Sequence, residues 1–235
     1  MQILLRRSFP TDTTAAAYRF ALESHPVDVL EIEAGLWRWT AFHEEWQEDV
    51  GCTFVQTEDG VVLIDPLVPG DDTARFWKAL DRDVKRAKGR VHVLVTVFWH
   101  TRSAAAMRER YDARIWAHKG GKAAIARRAG VVTDPFAIGD ELPGGIEACR
   151  TARAAEVVYW VPEHSALVPG DVLIADGKGG TKMCPASWLP DGKSHRDLTA
   201  SLRPLLDLPV RRILVSHGKP VVTGGGRALA RALEL

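Results

Sequence analysis

Residues 91–106 read VHVLVTVFWHTRSAAA, and this stretch decides the fold. It begins as a β-branched apolar run without polar alternation, which is typical of a strand covered on both faces. The run ends in aromatic residues, one histidine and the start of a helix. A strand-to-helix loop is the usual place for a site in an α/β sheet, so function is sought first around Trp99, His100 and Arg102.

Strands and helices alternate on both sides of this stretch. Before it, short β-rich segments cover residues 27–32, 36–41, 53–55 and 61–64. Asp59-Gly60 between the last two predicts a hairpin, and residues 76–84 have apolar side chains at helical spacing. After it, strands are predicted over residues 114–117, 146–148, 156–160, 166–168 and 213–217. With helices around Leu198 and over residues 227–233, this order predicts an α/β protein, a four-layer α/β/β/α sandwich.

The domain organisation follows from the same pattern. We predict an N-terminal extension over residues 1–26, with a short helix over residues 13–23, and a single domain over residues 27–235. Residues 178–194 are rich in glycine, proline and lysine and predict a long loop, of the kind that is often functional or mobile.

Composition excludes several classes of partner. Apolar residues make up 46%, charged residues 26%, and the net charge is +1, which gives no electrostatic case for nucleic acid or an anionic membrane. No run approaches the roughly 20 apolar residues that cross a bilayer, and the N-terminal arginines follow the apolar residues, unlike a secretory signal. The three cysteines are far apart, which fits a reducing compartment. We expect a cytoplasmic protein with a small-molecule ligand, in an oligomeric state that stays open.

Four landmarks in order point to a known fold. They are residues 63–66 (LIDP), the strand ending in Thr96, residues 167–174 (LVPGDVLI) and residues 215–220 (VSHGKP). Over residues 27–222 the chain resembles the metallo-β-lactamase fold superfamily, whose hydrolases bind one or two metal ions, commonly zinc, at one edge of the sandwich. The resemblance implies Asp171 and His217 as metal ligands or polar site residues, and Asp65 as a structural brace.

The chain departs from this family at most of the other ligands. After Thr96 the family pattern H-x-H-x-D-H is replaced by VFWHTRS, so only His100 remains, and it needs a one-residue shift. No histidine stands between residues 146 and 159, where Pro-Gly-His is expected. Zinc takes three or four protein or water ligands, and His100, Asp171 and His217 supply three for one ion and too few for two. We expect the dinuclear site to be lost, leaving no metal or, alternatively, one zinc or other divalent ion.

A buried Asp171 without a metal needs a positive partner or hydrogen bonds. Arg102 and Arg153 lie where the resemblance would place lost ligands, and a guanidinium fits a carboxylate with two parallel bonds. Our hypothesis is that a guanidinium fills the former metal space and pairs with Asp171. We therefore assign Arg102, Arg153 and Trp99 to substrate binding or charge compensation.

Two functions stay open at this stage. The first is a hydrolase for ester, lactone, thioester or phosphoester bonds, with His217, Asp171 and His100 as catalytic residues. Without metal, His217 would act as general base and an arginine would stabilise an oxyanion. The second is a non-catalytic relative whose pocket binds a small molecule or a partner chain, which the eight tryptophans would suit. Purely structural roles also remain for three of these residues: Asp171 as a turn residue, and His217 and His100 as packed histidines. Cys184 would be a nucleophile only if a base lay nearby.

Overall fold

The computed structural model describes residues 27–130 and 132–234. The helix predicted over residues 13–23 lies outside these residues. None of the helices formed by the described part of the chain is long and apolar enough to cross a membrane.

The larger sheet has seven strands in sequence order. They are β1 (Val29–Glu33), β2 (Leu36–His43), β3 (Glu48–Thr57), β4 (Gly60–Ile64), β5 (Arg90–Val95), β6 (Arg114–His118) and β7 (Asp134–Phe136). The first four pair antiparallel, including the predicted hairpin at Asp59-Gly60, and the last four pair parallel. The parallel strands are connected by α1 (Thr73–Ala87), α2 (Ala104–Tyr111) and α3 (Lys122–Ala129).

The second sheet comes from the second half of the chain. Its strands are β8 (Glu147–Arg150), β9 (Val157–Val161), β10 (Ala166–Val168) and β13 (Arg212–Ile213). They lie in the order β13-β10-β9-β8. A separate hairpin joins β11 (Leu173–Ala175) to β12 (Thr181–Met183). Two helices complete this half, α4 (His195–Leu202) and α5 (Gly225–Leu233).

The core is divided into three layers of apolar contact, which define a four-layer sandwich. Successive side chains of a strand point to opposite faces. In β4, Val61 and Leu63 accordingly pack in the cluster with the first three helices, whereas Val62 and Ile64 pack in the cluster shared by the two sheets. A third cluster joins the outer face of the second sheet to the last two helices. The predicted α/β/β/α architecture is confirmed.

Residues 178–194 contain more regular structure than the predicted loop. β12 lies within them because its residues pair with β11, and a 3-10 turn follows over Ala186–Trp188. Ser194 then caps α4: its hydroxyl accepts from the Asp197 amide, and the Asp197 carboxylate accepts from the Ser194 amide. Such a reciprocal capping box defines the start of the helix.

Tyr159 links the two sheets through a single buried hydrogen bond. The ring lies in the inter-sheet cluster with no exposed surface, and its hydroxyl donates to the carbonyl of Val95 at 3.0 Å. We expect Tyr159→Phe to lower the free energy of unfolding by about 1 kcal/mol, because the ring packing is kept and one buried bond is lost. Urea denaturation measures this, and an unchanged midpoint would contradict a structural role for the hydroxyl.

The last loop of the chain is bonded to the third strand. The Gly51 amide donates to the carbonyl of Ser216 at 2.7 Å, and Val50 forms an antiparallel bridge with His217. The approach requires glycine, because a Cβ at position 51 would lie 2.7 Å from the carbonyl oxygen of Val215. The loop of Ser216 and His217 is thereby held next to the edge of the sandwich at which β4, β5 and β10 end.

Candidate functional site

Asp65 braces the loop that carries His100. It follows β4 in a left-handed conformation (φ 51°), and its carboxylate accepts from the Thr96 amide at 2.8 Å and from the Thr96 hydroxyl at 2.5 Å. The same carboxylate lies 2.8 Å from Nδ1 of His100. In the neutral ring, Nδ1 therefore carries the proton and Nε2 presents its lone pair. A carboxylate behind an imidazole is the arrangement that orients histidine ligands of metals.

Three potential metal ligands meet at the edge of the sandwich. Oδ1 of Asp171 lies 3.1 Å from Nε2 of His100 and 3.1 Å from Nε2 of His217. One ligand atom from each residue lies within 4.8 Å of the other two. In a tetrahedral zinc site neighbouring ligand atoms are roughly 3.4 Å apart, given bonds of about 2.1 Å. The spacing therefore fits a single ion.

Two of these atoms have no hydrogen bond although they are fully buried. Nε2 of His100 and Oδ1 of Asp171 face each other at contact distance without hydrogen-bond geometry. An unpaired polar atom in a protein interior is costly. A cation between them would use both lone pairs, so the donor set fits a metal, whereas without an ion a protonated His100 pairs with Asp171 at the same distance.

The remaining contacts of Asp171 hold it in place. Its Oδ2 accepts from the indole Nε1 of Trp99 at 2.6 Å, and its backbone amide donates to Oε1 of Glu156 at 2.8 Å. Gly170 precedes it at φ +59°, where a Cβ would lie 2.8 Å from Oε1 of Glu156. The carboxylate is thus anchored through one oxygen and leaves the other directed at the two histidines.

The charges of the cluster keep Asp171 ionised. Burial raises the pKa of Asp171, but His100 and His217 lower it by more, so it lies well below its usual value. For His100, burial and the Arg102 guanidinium lower the pKa, whereas the carboxylates of Asp171 and Asp65 raise it, and the net shift is upward. An ionised carboxylate is the form that binds a metal.

Several solved metallo-β-lactamases have this architecture. DIM-1 metallo-β-lactamase superposes with a TM-score of 0.67 at 14% identity, over 90% of this chain and 97% of that one. The enzyme from Pontibacter korlensis gives 0.64 at 16% identity, over 88% and 97%. FIM-1 from Pseudomonas aeruginosa, solved in a mono-zinc form, gives 0.64 at 15% identity, over 89% and 93%.

This chain has the metallo-β-lactamase fold. The resemblance drawn from its four sequence landmarks is confirmed at the level of fold, and identities of this size show no more than that. No protein-family model matches the sequence, and no curated protein matches it significantly.

Within this metallo-β-lactamase fold, the hypothesis that a guanidinium pairs with Asp171 is wrong. Arg102 donates to the carbonyls of Gly51 and Asp65, both at 3.0 Å, and to the hydroxyl of Ser216 at 2.6 Å. It joins the third strand, the end of the fourth and the last loop from a strained left-handed backbone (φ 37°). The side chains that contact the carboxylate of Asp171 are His100, His217 and Trp99, and Arg102 is not among them.

Arg153 compensates a different carboxylate. It forms a buried ion pair with Glu156, donates to the carbonyl of Trp188 at 2.7 Å, and lies 5.5 Å above the ring of Trp99. Burial raises the pKa of Glu156 to about 7, against the opposing effect of Arg153. Glu156 was not a predicted site residue, because it opens an apolar strand and no spacing rule connects it to Asp171.

Six residues line an open cavity of about 480 Å³ over the cluster. They are Trp46, Glu48, Trp99, Asp171, Trp188 and His217. The predicted residues Trp99, Asp171 and His217 thus share one cavity, with His100 buried beneath it, while the catalytic roles assigned to them stay predictions. Trp46 and Glu48 lie on the hairpin between β2 and β3, where the sequence pattern contains no functional signal.

Cys184 is a packed core side chain. Its side chain has no exposed surface, and burial raises the pKa of its thiol to about 11. The nearby His195 contacts the backbone carbonyl of Cys184 at 2.8 Å. The contact that the structure shows at its Sγ is from the guanidinium of Arg153 at 3.6 Å, which cannot act as a base, so the alternative of a cysteine nucleophile does not hold.

Proposed function

We propose that the protein is a hydrolase-related enzyme that binds one divalent metal ion, zinc first among the candidates, through His100, Asp171 and His217. The observation that carries the proposal is the pair of buried atoms, Nε2 of His100 and Oδ1 of Asp171, that face each other without a hydrogen bond. The sequence leaves two alternatives open, no metal or one divalent ion. This geometry favours one ion.

The residues around the cluster have separate roles in holding the ion. Asp171 would supply the negative ligand, and Trp99 donates to its Oδ2 at 2.6 Å, which leaves Oδ1 for the ion. Asp65 orients the ring of His100, and Glu48 lies 3.1 Å from Nδ1 of His217. When bound, a divalent ion supplies Lewis acidity and makes water a nucleophile near neutral pH.

The reaction class is hydrolysis of an ester, lactone, thioester or phosphoester. Tryptophan side chains surround the cluster and restrict the bulk water around a bound substrate, which strengthens electrostatic interactions there. With Arg102 committed to backbone carbonyls and Arg153 to Glu156, neither guanidinium is placed to stabilise an oxyanion in the cavity. This favours the metal-assisted over the metal-free route.

Metal analysis together with turnover tests the proposal. We expect purified protein exposed to zinc or manganese and then dialysed to retain about one equivalent per chain. It should hydrolyse at least one member of a panel of activated esters, lactones, thioesters and phosphoesters. His217→Ala should lose both properties, whereas His195→Ala, on the far side of the second sheet, should keep them. Two bound equivalents, or none, would contradict a single site.

The second candidate is a non-catalytic binding module. The small number of metal ligands favours it. Among residues 27–130 and 132–234 only one group of three potential ligands is found, which is too few for two ions. A protein that binds the ion in full and yet turns over no substrate of the panel would support this module over the enzyme.

A further inference from the structure

A second cavity, of about 660 Å³, lies beside the one over the metal-ligand cluster. The two cavities have Trp99 and Trp188 in common, because each of these side chains lines both. Each cavity has a volume in the range of ligand-binding pockets. A substrate whose reacting bond lies at the cluster can therefore extend past the two indoles into the second cavity.

Three loops form the walls of this second cavity. They are residues 97–99 after β5, residues 150–156 between β8 and β9, and residues 188–193 before α4. Phe98, Leu189 and Pro190 contribute apolar surface to the lining. The walls can therefore contact the hydrocarbon part of a ligand.

The charged side chains of the lining leave an excess of positive charge. Arg153 and Glu156 form a buried ion pair, so their charges cancel. The remaining charges are the exposed cations Arg150 and Lys193 against one carboxylate, that of Asp191. In the described part of the chain, neither Arg150 nor Lys193 is engaged in an ion pair. Two cationic side chains are thus available to a ligand.

The neighbours of Arg150 are basic or neutral. Burial and, less strongly, the guanidinium of Arg150 lower the pKa of His118. Arg128 lies 5.4 Å over the ring of Phe98, which lines the cavity. Positive charge is therefore concentrated on this side of the cavity, and an anion would be attracted there.

A carboxylate is the group that suits this arrangement. The guanidinium fork of Arg150 matches a carboxylate with two parallel bonds, and Lys193 adds a single mobile charge. Two cations against the carboxylate of Asp191 leave one net positive charge, which a carboxylate balances. A phosphate monoester carries more negative charge than this, and an ammonium group would be repelled.

We propose that Arg150 and Lys193 bind a carboxylate of the substrate, at the end of the molecule away from the bond that is cleaved. The substrates would be esters or thioesters that carry a free acid group on an apolar chain. This deepens the proposed function and rests on it for the cleavage step. Binding of the acid group itself requires only the second cavity.

A matched pair of probes tests the binding of the acid group. Phenylbutyrate and phenylbutyramide have nearly the same shape, and only the first is charged. Calorimetric titration of metal-free protein excludes binding of the carboxylate to an ion. We expect phenylbutyrate to bind about tenfold more tightly at low ionic strength, and the preference to decrease as salt is added. Equal affinities, tighter binding of the amide, or binding of neither probe would overturn the proposal.

Variants assign the preference to the two cations. Arg150→Gln and Lys193→Gln should each weaken phenylbutyrate binding several-fold, and the double variant should bind the two probes about equally. Arg196→Gln is the matched control, because Arg196 is exposed on α4 and lines neither cavity. A preference for phenylbutyrate that persists in the double variant, or is lost equally in Arg196→Gln, would overturn the assignment.

Hydrolysis by zinc-loaded protein separates the two proposals. The test compares the nitrophenyl monoesters of adipic and suberic acid with the same compounds methylated at the acid group. Cleavage that favours the monoesters in kcat/KM, with a preference that Arg150→Gln removes by raising KM, supports both proposals. If phenylbutyrate is selected but no ester is cleaved, the enzyme proposal fails and the carboxylate site stands. If both kinds of ester are cleaved with equal kcat/KM, the enzyme proposal stands and the carboxylate site is overturned.

Discussion

Zinc added to the metal-free protein is expected to raise its melting temperature by about 8 to 16 °C. An ion that binds only the folded state stabilises it by about 4 kcal/mol when its free concentration is a thousand times its Kd. For a domain of this size each kcal/mol moves the melting temperature by about 2 to 4 °C. The effect is large because the ion would use the buried, unpaired atoms of His100 and Asp171. Scanning calorimetry over a series of zinc concentrations measures it.

The rise in melting temperature should depend on the three ligands His100, Asp171 and His217. His217→Ala should reduce it to less than about a quarter, and His195→Ala, which removes a histidine whose contact is the carbonyl of Cys184, should leave it unchanged. A melting temperature that rises equally in both variants would show that zinc binds elsewhere. One that does not rise in the unaltered protein would remove the single-ion site.

Arg153→Met is expected to lower the free energy of unfolding by about 3 to 5 kcal/mol. The side chains of Arg153 and Glu156 are 4% and 0% exposed, so removal of the guanidinium leaves a carboxylate buried without its counter-charge. Adding Glu156→Gln should restore at least half of the loss, since the amide oxygen can still accept from the backbone of Asp171. Urea denaturation of the two variants and the unaltered protein gives these values. A loss below about 1 kcal/mol for Arg153→Met would contradict the pair.

The same variant should depend on pH in a defined direction. Burial raises the pKa of Glu156 from its ordinary 4.5 to about 7, so the folded state holds a proton that the unfolded state has released. The contribution of this proton to the free energy of unfolding is fully present below pH 4.5 and is lost as the pH rises toward 7. Without Arg153 the upward shift is larger, and Arg153→Met should be less destabilising at pH 5 than at pH 8. The double variant has no carboxylate at this position, so its own free energy of unfolding should lack the dependence on pH that Glu156 causes.

The fold could be predicted because its signals are local. Asp59-Gly60 between two apolar runs predicts a hairpin, and continuous runs such as Val91–Val95 predict strands covered on both faces. The sequence contains weaker signals for α3 and β7: α3 has no side-chain cap, and β7 is three residues long with a proline at its centre. Pairing with β6, which the sequence does not show, is what makes β7 a strand.

The site could be predicted only in part, for a related reason. His100, Asp171 and His217 follow strands whose ends meet at one edge, so their proximity is a property of topology. A buried carboxylate needs a counter-charge, but which residue supplies it depends on distances between residues far apart in sequence. Arg153 therefore pairs with Glu156 instead of Asp171. Trp46 and Glu48 enter the site because a hairpin folds over it.

The bond between the Gly51 amide and the Ser216 carbonyl also determines when the site can form. It places the wall of the cavity, from the first strands, against the loop of His217, from the last fifth of the chain. During translation the first sheet can fold long before residue 217 leaves the ribosome. The cavity can therefore be completed only after this loop has been made, and a nascent chain that stops short of it lacks both His217 and the helix α5 that covers the second sheet.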